Sequence, residues 1–143
     1  MNWFIILASC LFPLSFLPVP EEGISIHITG LRNNKGHVLV SLFRDGKGYP
    51  DEPEKAVRKL RLEIRNQAGS ALVTGIPPGI YAVAILHDEN DDLKMNKNFF
   101  GLPKEGYGFS NNVMGTFGPP SFSRASFTHR VQQKTEVRIR ARY

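Results

Sequence analysis

Beyond Gly23 the dominant pattern of apolar and polar residues has a period of two, and no convincing helical period of 3.6 appears. A period of two puts successive side chains on opposite faces of an extended strand. The pattern therefore argues against a helical bundle and for sheets with one buried face. Ile24, Ile26 and Ile28 alternate with Ser25, His27 and Thr29 near one end. Val137, Ile139 and Ala141 alternate with Arg138, Arg140 and Arg142 near the other. Ile24, Ile26, Ile28, Val137 and Ile139 are expected to face the core.

Further strands follow from the same reading. Residues 37–43 are a run of Val, Leu and Phe that suits a strand covered on both faces. The turn-rich segment 30–36 before it predicts a hairpin between the first two strands. Gly46, Gly48, Pro50 and Pro53 mark a loop, and Leu60, Leu62 and Ile64 alternate in the next strand, 56–64. A short strand is expected at 70–74. Pro77, Pro78 and Gly79 then redirect the chain into a strand ending near His87, because proline fixes φ and glycine permits positive φ. The last strands are expected at 125–131 and 135–143. About seven short strands without repeats predict a single-domain, all-β, antiparallel sandwich with one long ordered loop.

The 143 residues fit one domain. Residues 1–20 differ from the rest: Trp3 to Val19 carries no charge and is interrupted by Pro13 and Pro18. The stretch is short for a membrane span, which needs about 20 apolar residues, and reads as an export signal. The domain is then 21–143, in a periplasmic or extracellular location. Leu7 to Cys10 resembles a lipoprotein box, so a lipoprotein or an N-terminal anchor is the lesser alternative. Cys10 is the only cysteine, leaving 21–143 without a disulfide. The formal net charge of +5 favours anionic partners or serves only to keep strand edges soluble. No dense basic run, zinc-finger spacing or RNA-binding aromatic signature supports nucleic acid as a partner. Arg138, Arg140 and Arg142 share a face by period two and form a candidate contact for an anionic surface.

The unusual segment is the 87–122 loop, far beyond the roughly 12–15 residues of ordinary connections, and such loops are often functional. Asp88, Asn90, Asp92 and Asn96 offer hard oxygens at alternating positions, a pattern suited to calcium. Leu93 stands where a calcium-binding helix-loop-helix needs glycine, and Phe99 where it needs a bidentate Glu, so that motif is absent. Two readings stay open: another kind of calcium loop with a remote ligand such as Glu105, and a loop held by Asx turns alone. Tyr107, Phe109, Phe117 and Phe122 are expected to form a satellite core that holds the loop down. Glu105, Tyr107, Phe109, Ser110 and Asn111 are the candidate ligand-binding set.

One family resemblance rests on specific residues. The segments Pro78 to Tyr81, His87 to Asn90, Gly101 to Asn111 and Gly118 to Phe122 resemble bacterial domain of unknown function 2141. The resemblance implies an exported bacterial protein with a transthyretin-like sandwich and no established activity. The family's acidic loop alternates Asn and Gly, with an Asp near the position of Asn96. Asp91, Asp92, Leu93 and Asn96 depart from it here, which argues against tight metal binding. Transthyretin-like hydrolases carry paired histidines and a Tyr-Arg-Gly-Ser tail. This chain ends Arg140, Ala141, Arg142, Tyr143, and His27, His37, His87 and His129 show no metal-ligand spacing. The leading expectation is a non-enzymatic envelope module that binds a ligand or protein partner through the 87–122 loop. A hydrolase, or a binder of anionic surfaces through the arginines, is the alternative.

Overall fold

The structure, a computed structural model, describes residues 21–143; the expected export segment and Cys10 lie outside the described residues. Eight strands form two sheets. The smaller sheet is ordered β4 (Gly69–Val73), β1 (Gly23–Thr29), β8 (Lys134–Arg140). The larger is ordered β3 (Arg58–Glu63), β2 (His37–Arg44), β5 (Gly79–Asp88), β6 (Gly106–Phe109), with β7 (Phe127–His129) also on β5.

The core lies between the sheets. Ile24, Ile26, Ile28, Val137 and Ile139 are all buried in it, as the alternation predicts. Val38, Val40, Leu42, Tyr81, Val83 and Ile85 meet them from the larger sheet. The all-β sandwich is thus the observed architecture, with one strand more than expected. One pairing departs from the antiparallel rule: β1 and β8 run parallel.

Three local expectations are corrected. β1 and β2 do not form a hairpin, because β1 pairs with β4 and β8 whereas β2 pairs with β3 and β5. Each carries an apolar face, and the two faces close on one another across the core only if the connection changes sheets. Leu31, buried in that connection, plugs the crossing. The long loop contains a strand, β6. Its glycines conceal it, since glycine is a weak strand former. The glycines nevertheless leave room for close neighbours: a Cβ on Gly106 would lie 2.5 Å from Tyr143 Cζ, and one on Gly108 2.8 Å from Ile139 Cγ2, so either neighbouring side chain would have to shift. Finally, Ala125 belongs to a one-turn helix, α1 (Phe122–Ala125), so the strand after it is shorter than expected.

After β8 the chain passes from one sheet to the other. Ala141 N–H donates to Thr29 O at 2.9 Å, and Arg142 and Tyr107 exchange backbone hydrogen bonds at 2.8 Å. This crossing brings the C-terminal Tyr143 over the end of β5, where the candidate site begins.

Candidate functional site

β5 ends in two fully buried polar residues, His87 and Asp88. Both Asp88 oxygens accept backbone N–H groups: Asp92 at 3.1 Å on Oδ1 and Leu93 at 2.9 Å on Oδ2. Glu105, also buried, closes the loop from the other side. Its Oε1 accepts Glu89 N–H at 3.0 Å and its Oε2 accepts Asn96 N–H at 3.1 Å. Two carboxylates thus fasten both ends of the turn that follows β5, as side-chain oxygens do in Asx turns.

Asp88, Asp92 and Glu105 each present an oxygen within 4.8 Å of the others, the one such acidic or histidine cluster among the described residues. These are hard donors of the kind calcium or magnesium accepts, and Glu105 is the remote carboxylate considered above. Asn90 and Asn96 stand one layer out. Their amides donate to Asp92 Oδ2 at 3.1 and 2.8 Å. The hydrogen bond from Asn96, with Lys94 N–H, holds the Asp92 carboxyl below the usual carboxylate range.

His87 is committed on both ring nitrogens. Nε2 lies 2.8 Å from Lys35 O, which can only accept, so this nitrogen carries the proton. Nδ1 then accepts from Tyr143 Oη at 2.5 Å. Tyr143 Oη also accepts Arg32 N–H at 3.0 Å, and the Arg32 guanidinium lies 4.5 Å from the Tyr143 ring centroid. Burial raises the Tyr143 pKa. Arg32 pairs with Glu89, whose pKa is lowered chiefly by that hydrogen bond. His87 therefore works as a clamp joining the 30–36 connection, the end of β5 and the C-terminal tyrosine. The other histidines are apart from it: His27 meets Ser25, His37 meets Asp91, and buried His129 meets Thr135.

The remaining expected binding residues face inward or support the loop. Phe109 is buried against Tyr49 and Tyr107, and Tyr49 also contacts Phe122. Ser110, fully buried, donates to Ala125 O at 2.5 Å and accepts Val83 N–H at 2.9 Å. Asn111 donates to Arg124 O and Ser126 O. The satellite core exists, but with Tyr49 at its centre and without Phe117, which is fully exposed. Tyr49 sits in a different loop, and nothing in its spacing ties it to residues sixty positions away. Arg138 and Arg140 lie on the outer face of the smaller sheet, Arg138 paired with Glu136, and border a shallow groove with His27, Thr29 and Asn112. Arg142 lies beyond β8 and bridges to Tyr107, so the arginine row divides between the sheets.

The outermost part of the loop went unread in the sequence. Asn96 to Lys104 is a small hairpin: Lys104 N–H donates to Asn96 O, Asn98 N–H to Leu102 O and Gly101 N–H to Asn98 O, at 2.8, 2.8 and 2.9 Å. Asn98 Oδ1 accepts Phe100 and Leu102 N–H at 2.9 and 3.0 Å, and Gly101 takes the positive φ of +77° that the turn needs. Phe99 and Phe100 occupy the two corners, 98% and 83% exposed, with ring centroids 5.6 Å apart. Each forgoes roughly 1.5–3 kcal/mol of burial free energy. The sequence signal was available: two adjacent phenylalanines followed by glycine in a polar turn, where Asn, Asp or Ser is the rule.

A family model described as an uncharacterized protein conserved in bacteria (DUF2141) matches residues 26–138. The chain belongs to the DUF2141 family. The match runs from β1 into β8 and so takes in both sheets, the carboxylate cluster and the exposed hairpin of this DUF2141 protein. No curated protein and no solved structure matches the chain.

Proposed function

We propose that this protein is an exported, non-enzymatic binding module of the bacterial envelope, built on a transthyretin-like sandwich, whose 87–122 loop makes the contact. The observation that carries this reading is the pair Phe99 and Phe100, held at the corners of a hydrogen-bonded turn and packed on each other instead of on the core. Exposed apolar groups on an ordered surface mark interaction sites. The rest of the loop works toward holding that turn still: Asp88 and Glu105 pin its base, and Phe109, Ser110 and Asn111 anchor the returning chain. The uncharged apolar stretch at 3–19 supports export. His87, the base considered for the hydrolase alternative, is buried with both ring nitrogens engaged, which favours the binding reading.

Site-specific photocrosslinking in bacterial cells tests the reading. A benzoylphenylalanine at position 99 is expected to give adducts with an envelope component, and the same probe at exposed Glu54 is expected to give none. Equal labelling from both positions, or none from 99, refutes the proposal.

A further inference from the structure

Resting on that reading, we infer that the 93–104 segment, with the Asn96 to Lys104 hairpin at its tip, docks on the surface of an anionic phospholipid bilayer. Three features of the tip select this partner. The first is shape: Phe99 and Phe100 stand on the outermost turn, flanked by Leu93 and Leu102 at 63% and 60% exposure. An ordered segment that exposes four apolar side chains suits a soft surface that yields around it. The second is charge. Residues 93–104 include Lys94, Lys97 and Lys104 and no acidic residue. No ion pair among the described residues uses these lysines. The acidic residues next to the hairpin are each engaged: Asp88 and Glu105 are buried at its base and held on backbone N–H groups, exposed Asp91 pairs with His37 and Arg61, and Asp92 accepts the amides of Asn90 and Asn96. The third is chemistry: apolar rings among lysines match the division of a membrane interface into acyl chains and anionic headgroups. Lysine stems can also lie along the acyl boundary while their ammonium groups reach the phosphates.

Binding that combines apolar insertion with lysine contacts should need negative lipid and weaken with salt. The full chain carrying Trp3→Phe and Phe99→Trp has its single tryptophan at the tip. Vesicles of phosphatidylcholine with one-fifth phosphatidylglycerol are expected to shift its emission to the blue, and brominated acyl chains to quench it. Pure phosphatidylcholine should leave the emission unchanged. Adding Lys94→Ala, Lys97→Ala and Lys104→Ala should weaken the response at least fivefold, as should raising salt from about 0.1 to 0.5 M. A tryptophan that stays water-exposed on both vesicle types overturns the inference, as does an equal shift on neutral and anionic lipid. Crosslinks from position 99 to a protein, without lipid insertion, would leave the loop as the contact surface and remove the bilayer as its partner. Absence of any crosslink from that position removes the contact surface itself.

Discussion

At the residue scale, the decisive positions are those where one atom more or one charge less has nowhere to go. Gly36 has a φ of +63°, and a Cβ there would stand 1.8 Å from Asp88 O, a backbone atom that cannot yield. Left-handed backbone alone costs alanine roughly 1–2 kcal/mol. Gly36→Ala is therefore expected to destabilise the protein by more than about 2 kcal/mol in urea unfolding, through the end of β5. Asp88 gives a sharper case. Its two oxygens each hold a backbone N–H, and asparagine can accept on only one of them. Asp88→Asn leaves a donor unpaired at a buried position, a loss of about 1–3 kcal/mol that should appear with or without calcium. Glu89 sets an acid limit. Arg32 lowers its pKa in the folded state, so the folded form takes up a proton less readily than the unfolded chain. Its contribution is complete above the ordinary carboxylate value of about 4.3 and is lost as pH falls through the lowered one. The stability difference between wild type and Glu89→Gln should be evident at about pH 6 and should shrink as the solution is acidified below the ordinary carboxylate range.

At the scale of the element, two parts of one loop carry phenylalanines with opposite work to do. Phe109 at the end of β6 packs into the cluster with Tyr49, Tyr107 and Phe122. Removing a buried phenylalanine ring costs about 3–5 kcal/mol, so Phe109→Ala should lower the melting temperature by more than about 10 °C in calorimetry. Phe99→Ser removes an equal ring from the turn at 98% exposure and should change it by less than about 2 °C. Comparable losses in the two variants would mean that the hairpin is part of the folding unit and not a surface it supports. β6 itself shows how an element can escape sequence reading. Its glycines read as loop, yet they are what allows the Tyr143 ring and Ile139 to close over the strand.

At the scale of the whole molecule, two apolar sheet faces supply the core, and Asp88, Asp92 and Glu105 supply a local support that need not contain a metal to hold. The four oxygens of Asp88 and Glu105 already accept backbone N–H groups. A weak calcium loop, with affinity on the order of 0.1–1 mM, adds only about 0.4–1.4 kcal/mol at 1 mM calcium. Chelation is therefore expected to lower the melting temperature by less than about 6 °C, and unfolding in chelator would contradict this. The sequence by itself determined the all-β class, the inward faces of β1 and β8, most strand positions and the loop that holds the carboxylates. Alternation is a local property, and a sheet with one wet face writes it directly into the chain. Only the tertiary structure decided that β1 and β2 lie in different sheets, that β8 runs parallel to β1, and that Tyr49 and Tyr143 close over distant segments. It also decided which phenylalanines of one loop go in and which go out. Burial depends on what another part of the chain brings to meet a side chain, and Phe99 and Phe109 differ in that alone.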